Sequence, residues 1–321
     1  MTSGLTEGMH MPQRLGIIWN PIKIDEAALR DAVTAAVPAD TELMWWETAA
    51  DDPGRAMTAE AVHAGCDVVV AVGGDGTVRT VAEILASVGE KAPALGIVPQ
   101  GTGNLLARNL GIPVGSIPKA LDVIAAGNER RIDMGWTRTD DDEVETGFLV
   151  MVGFGLDAHM LAETDDDLKG KAGWLAYVAA MGRAVTASET VDFRITLDNG
   201  EQQAFSGHTL LIGNCGDIQG GFTLLPDAVV DDGRLDLLLI SAENVVQWLQ
   251  TLRTVIWDNG IRRLLGGDDE TVSNDFTQHL TGEAIAVALS GPVPFEIDGE
   301  EAGSISKLAV RVQPGALRVL C

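Results

Sequence analysis

Residues 67–113 read DVVVAVGGDGTVRTVAEILASVGEKAPALGIVPQGTGNLLARNLGIP. The run from Val68 to Val72 is apolar, with no alternation and no polar break, as in a strand buried on both faces of a parallel sheet. It ends at Gly73-Gly74-Asp75-Gly76-Thr77, and a helical pattern follows at once, with Val78, Val81, Ile84 and Leu85 on one face. The same order then repeats. Leu95 to Val98 is a short apolar strand, Gly101-Thr102-Gly103-Asn104 a second glycine turn, and Leu105 to Leu110 a helical continuation. Two such junctions close in sequence belong side by side at the carboxyl ends of adjacent strands. That edge is where open α/β sheets bind ligands.

The chemistry that suits these turns is phosphate binding. Glycine lets the backbone approach a ligand and adopt positive φ. The helix behind each turn presents unpaired N–H groups and the positive end of its dipole. Thr77 and Thr102 add hydroxyl donors. Asp75 stands out, because a carboxylate beside a phosphate repels it. Either it holds a divalent cation or it organises the donors around it. The plainer alternative is that the glycines only make tight turns and Asp75 caps a helix.

Outward from this stretch, the first half alternates strand and helix. Leu15 to Trp19 is a strand ending at Asn20-Pro21-Ile22-Lys23, and a helix follows from about Asp25, its N-cap, to Val37. Leu43 to Trp46 is a second strand, leading to Glu47-Thr48, and a helix runs from near Pro53 to Gly65. This alternation predicts a Rossmann-like, doubly wound α/β domain over residues 14–133. Beyond Asp133 strands dominate, with 203–212, 284–288 and 293–297 among them and Asp198-Asn199-Gly200 as a hairpin signal. They predict an antiparallel β-sandwich over residues 134–312. Helical stretches at 165–188 and 244–265 interrupt it. Residues 1–13 read as a disordered leader.

With 321 residues and 46% of them hydrophobic, the chain can build two cores. No run of about eighteen apolar residues occurs, so no transmembrane helix is expected. The three cysteines, Cys66, Cys215 and Cys321, have neither metal nor disulfide spacing and fit a reducing cytoplasm. A formal charge of −25 argues against nucleic acid as a partner and against broad adsorption to anionic lipid.

GGDGT followed by a GTGN turn resembles the catalytic-domain family of diacylglycerol kinases, sphingosine kinases and their bacterial relatives. Further blocks match in order along nearly the whole chain, while the GxxxxGK[ST] loop and the protein-kinase signatures are missing. The resemblance implies an NAD kinase/phosphofructokinase-like first domain, a β-sandwich second domain, and a last segment, 313–321, that returns to the first. It implies ATP and Mg2+ as cofactors and a membrane lipid as substrate. The enzyme would be cytoplasmic, meeting the inner face of the membrane transiently as a peripheral protein, and a homodimer is compatible with this.

Residue by residue, the resemblance places nucleotide contacts at Asn20, Pro21 and Thr48 and at the turns Gly73, Gly74, Asp75, Gly76, Thr77 and Gly101, Thr102, Gly103, Asn104. The nucleotide would lie in the cleft between the domains. Where relatives often continue Asn-Pro with Ser-Gly, this chain has Ile22-Lys23, and Lys23 could supply a charge for phosphate or be a solvated turn lysine. The block Pro226 to Asp236 resembles the family's structural magnesium segment. It matches Asp232 as the ligand, with the carbonyls of Val229 and Arg234 nearby. Asp133 matches a further family aspartate at the domain junction, and both it and Asp75 are further candidates toward metal. The triplet Asp298-Gly299-Glu300 matches a DGE in which a carboxylate acts as base; Glu300 is favoured, with Asp298 toward the metal. Many bacterial diacylglycerol kinases follow the GT(G/T)N turn with aspartate, and here Leu105 stands instead. The first acceptor expected is diacylglycerol. A sphingoid base or other lipid alcohol, an NAD kinase-like activity, or a catalytically silent regulator are the alternatives. Without the resemblance, Asp232 can be read as part of an Asp-Asp-Gly turn between strands, and Asp133, Asp298 and Glu300 as turn acids of a very acidic protein.

Overall fold

The computed structural model of the chain describes residues 14–140, 142–155, 190–218, 222–241 and 277–321. The leader and the helical stretches expected at 165–188 and 244–265 lie outside the described residues. The chain divides into two compact units. One contains the residues up to Ile132 together with Ala316–Cys321, and the other is Asp133–Gly315.

The first unit begins with β1 (Arg14–Trp19), α1 (Glu26–Ala36), β2 (Glu42–Glu47), α2 (Arg55–His63) and β3 (Val68–Gly73). It continues with α3 (Asp75–Val88), β4 (Ala94–Pro99), α4 (Leu105–Asn109) and α5 (Ile117–Ala126). β1 pairs in parallel with β2 on one side and β3 on the other, and β3 pairs in parallel with β4. Every residue of β3 and of β4 is buried, which is what their unbroken apolar runs require. β2, at the sheet's edge, is only half-buried along Leu43 to Trp46. α3 packs on β3 and α5 on β4, while α1 pairs with α5 and α2 with α3. The helix starts are set by local acids. The Asp25 carboxylate accepts the Ala28 N–H at 2.9 Å, and Asp52 accepts the N–H groups of Gly54, Arg55 and Ala56. Burial opposes ionisation of Asp52, but those three N–H groups outweigh it and hold the carboxyl below its usual range.

The strands of the second unit are β5 (Glu129–Thr139, which enters it from the first), β6 (Thr146–Phe148), β7 (Met151–Phe154), β8 (Val191–Leu197), β9 (Gln203–Gly207) and β10 (Thr209–Gly213). After these come β11 (Asp217–Ile218), β12 (Phe222–Thr223), β13 (Leu235–Ile240), β14 (Thr277–Gly282), β15 (Ala284–Ile297) and β16 (Glu300–Leu320). Its core joins Phe148, Phe154, Phe193, Leu237, Phe295 and Leu308 with their aliphatic neighbours. Two details differ from the sequence reading. The expected single strand 203–212 breaks at His208, because β9 pairs with β8 whereas β10 pairs with β7 and β13. Conversely, 284–288 and 293–297 form one strand, β15. It pairs with β8 through Ile285 to Leu289 and with β7 through Glu296 and Ile297, with a register shift between Ala288 and Val293. A strand that changes partners at a bulge is how one sheet folds over into two layers. Past Gly315, β16 joins the first unit, with Val319 in parallel register with Leu95 of β4.

Candidate active site

In a parallel sheet the carboxyl ends of all strands share one edge. Here that edge carries the residues after β1, β2, β3 and β4. The Asn20 N–H donates to the Val72 carbonyl at 3.1 Å, and the Asn20 Oδ1 accepts the Ile22 N–H at 3.0 Å. Pro21, Ile22 and Lys23 project from this turn and are exposed. Buried Thr48 donates its N–H to the Trp19 carbonyl at 2.9 Å. The expected residues Asn20, Pro21, Lys23 and Thr48 are therefore on the same edge as the two glycine turns.

The two glycine turns touch backbone to backbone. A Cβ on Gly101 would lie 2.7 Å from the Gly74 Cα, and one on Gly103 would lie 2.9 Å from Asp75 Oδ2. A Cβ on Gly73 would meet the Thr77 side chain at 2.7 Å. Glycine is therefore required at these positions by close approach. The Gln100 N–H adds a 2.7 Å bond to the Gly73 carbonyl. Asp75 locks the pair: its Oδ2 accepts the Asn104 N–H at 2.7 Å and its Oδ1 accepts the Leu105 N–H at 2.6 Å. Of the two roles open to a carboxylate here, organising donors is the one for which the structure shows contacts.

Asn104 completes the second turn from inside. It is buried and left-handed, with φ 49°, a conformation asparagine tolerates better than most residues. Its Oδ1 accepts the Gly101 N–H at 2.8 Å and its Nδ2 donates to the Gly101 carbonyl at 2.7 Å. Thr102 is exposed at the tip. The start of α3, fourteen residues long, adds first-turn N–H groups that have no partner within the helix. Together the turns bring backbone N–H groups and a helix start to one edge, a combination suited to an anion. One residue of this edge escaped the sequence reading. Arg108, on α4, donates from Nε to the Gly103 carbonyl at 2.8 Å and is otherwise exposed. An arginine at the end of a short helix reads in sequence as a solvated charge, and only the fold shows what it touches.

In the second unit, Asp298 and Gly299 form a two-residue hairpin between β15 and β16, both with positive φ, 49° and 80°, as in a type I′ turn. Asp298 is buried, and its carboxylate accepts the N–H groups of Leu149 at 2.9 Å, Val150 at 2.8 Å and Met151 at 3.0 Å. Its own N–H returns to the Met151 carbonyl at 2.8 Å. Glu300, two residues on, is exposed and stands opposite Ile297.

The third group surrounds Asp133, which is 1% exposed. Its Oδ2 accepts the Gly233 N–H at 2.6 Å and its Oδ1 accepts the Gly315 N–H at 2.7 Å. Its N–H donates to the Val230 carbonyl at 2.8 Å. It thus fastens the turn that carries Val229, Asp232 and Arg234. Asp232 is exposed on that turn, with Oδ1 accepting the Arg234 N–H at 2.9 Å. Beside it, burial, with added repulsion from Asp232 and Asp227, pushes the Asp236 carboxyl up to about 6 against the opposing pull of Arg234. Among the described residues no group of three or more histidines, cysteines or acids is arranged to hold a metal ion. The residues nonetheless fit a hard cation in one respect: the carboxylates of Asp227 and Asp232 repel the buried carboxyl of Asp236, and carboxylate oxygen is the donor such a cation takes.

Residues 15–137 match the diacylglycerol kinase catalytic domain, and residues 150–321 match the YegS C-terminal NAD kinase beta sandwich-like domain. Over 307 residues the chain is 30% identical to proteins named "Probable lipid kinase YegS" from Salmonella arizonae and from Salmonella gallinarum. In each case 94% of both chains is covered. The fold is similar to the crystal structure of a diacylglycerol kinase from Bacillus anthracis, with a TM-score of 0.69 and 19% identity over 96% of this chain and 97% of that one.

Proposed function

Because the chain belongs to the diacylglycerol kinase catalytic-domain family, among its YegS-like lipid kinases, we propose that it phosphorylates diacylglycerol to phosphatidic acid with ATP and Mg2+. Its general chemistry follows from the family: a lipid kinase moves a phosphoryl group from ATP to an alcohol. The observation that carries the nucleotide assignment is the pair of glycine turns held in contact by Asp75 at the carboxyl edge of the parallel sheet. Phosphoryl transfer asks for positioning and charge stabilisation more than for covalent chemistry, and a preformed backbone cradle supplies the first.

In this proposal the nucleotide phosphates rest on Gly73 to Thr77 and Gly101 to Asn104. Asn20, Pro21, Lys23 and Thr48 border them. Glu300 takes the proton that the lipid hydroxyl sheds on attack, and Asp298 keeps its hairpin in shape. Mg2+, when bound, would neutralise phosphate charge; Asp232 and the carbonyls of Val229 and Arg234 would hold a second, structural ion. Among the described residues no helix is long and apolar enough to cross a membrane, and the lipid is met by peripheral contact with the inner face of the cytoplasmic membrane. One observation favours a second reading of the acceptor. Leu105, buried, occupies the place after the GTGN turn, so an acceptor site organised by an aspartate there has to be built differently, and a sphingoid base or another lipid alcohol is the alternative.

The test is transfer of labelled phosphate from ATP to diacylglycerol, sphingosine, NAD or no acceptor. Labelled phosphatidic acid is the expected product. Label in the sphingosine lane alone would move the assignment to the second reading, and label on NAD alone would reject a lipid acceptor.

The structural cation gives a separate expected outcome in stability. A carboxyl raised to about 6 in the folded protein holds its proton more tightly there than in the unfolded chain, near 4. The folded state therefore loses stability as pH rises between those values, by at most about 2 to 3 kcal/mol and by less where solvent screens the group. A cation at Asp232 reverses the loss, so Mg2+ should raise the melting temperature at pH 7 more than at pH 4.5. Asp232→Ala should abolish the Mg2+ effect while changing nucleotide affinity little. Melting curves identical with and without Mg2+ at both pH values would reject the site.

A further inference from the structure

We propose that Arg108 is the cation that binds the nucleotide's polyphosphate, an assignment that rests on the nucleotide reading above. The glycine turns present backbone donors but contain no cationic residue of their own. Asp75 brings a negative charge into the cradle and spends both oxygens on Asn104 and Leu105. The chain as a whole carries −25. A polyphosphate approaching this edge needs a fixed positive group, and Arg108 meets the geometric requirements for one.

Three observations support it. The Arg108 Nε donates to the Gly103 carbonyl at 2.8 Å, so the guanidinium is fastened to the second turn. Gly103 itself packs against Asp75, with a Cβ there falling 2.9 Å from Oδ2, so the cation lies one residue from the contact between the two turns. The side chain is exposed, and neither Nη makes a described hydrogen bond. Anchoring by Nε presents the two Nη groups as a fork, the geometry that pairs with two phosphate oxygens. The neighbouring cation, Lys23, has no such anchor described for its side chain, and a point charge on a flexible stem orients phosphate less well.

The plainer role is a strut: Arg108 holds the Gly103 carbonyl and nothing more. The two roles differ in which ligands feel its loss. Binding of adenosine, AMP, ADP and ATP, without lipid, is measured by calorimetry for the wild type, Arg108→Gln and Arg108→Lys, together with melting temperatures. A phosphate-binding cation predicts that Arg108→Gln weakens ATP about ten- to hundredfold and leaves adenosine within about twofold, with Arg108→Lys in between because it keeps the charge but not the fork. Loss of affinity shared equally by adenosine and ATP, or ATP affinity unchanged in Arg108→Gln, overturns the proposal and leaves the strut. A wild-type protein that binds ATP no more tightly than adenosine would instead reject the nucleotide site itself.

Discussion

Asp75→Asn should leave a folded protein whose phosphoryl transfer is slower by about 10² to 10³. The reason is the division of labour at the carboxylate. One oxygen accepts the Asn104 N–H and the other the Leu105 N–H. An amide offers one acceptor and one donor, so one of the two N–H groups must face an NH2. The lost bond and the repulsion fall on the contact between the two turns, where Gly74 and Gly101 already touch without room for a methyl group. An unsatisfied donor costs about 1 to 3 kcal/mol. The strands beneath, buried at every residue of β3 and β4, are untouched by the change and should hold the unit together. The damage is therefore to preorganisation: donors aimed at phosphate lose their fixed spacing. Turnover and a melting curve, measured on the same preparation, check this. Wild-type turnover in the folded variant would show that the lock is dispensable, and loss of the cooperative melt would show that it is a folding element instead.

The role of Asp75 also shows what a linear reading can and cannot reach. The two glycine turns, the apolar strands beneath them and the Asp25 cap are local patterns: spacing and residue type determine them, and they are legible in the sequence. The partners of Asp75 are 29 and 30 residues away. Asp133 holds Gly233 and Gly315 across 100 and 182 residues, and Asp298 holds Leu149 across 149. In an acidic chain each of these carboxylates reads as a turn acid, a metal ligand or a base with equal ease. What separates the readings is which backbone N–H groups the fold delivers to them. Arg108 was illegible for the same reason, its contact being to a carbonyl of the preceding turn rather than to a charged partner in a motif. The break at His208 and the fusion of 284–297 into one strand are likewise decided by which strand lies alongside.

The DGE hairpin yields the second large expected effect, because its two acids occupy opposite environments. Asp298 is buried and accepts three backbone N–H groups, whereas Glu300 is exposed. A base must reach its proton and have a lone pair to take it with, and a carboxylate already filled by backbone donors is poorly placed to do so. Glu300→Gln should therefore depress turnover by about 10² to 10⁴, with ATP affinity and melting temperature nearly unchanged. Asp298→Asn should behave as a structural change. Asparagine tolerates the left-handed backbone at this position, φ 49°, but offers one acceptor oxygen for N–H groups now shared between two. The melting temperature should fall, and activity should fall with the folded fraction. Comparing turnover per folded molecule in the two variants separates the roles. If Asp298→Asn loses turnover while still fully folded and Glu300→Gln keeps it, the base is Asp298, and the three backbone donors must then be tuning its basicity rather than only anchoring the hairpin.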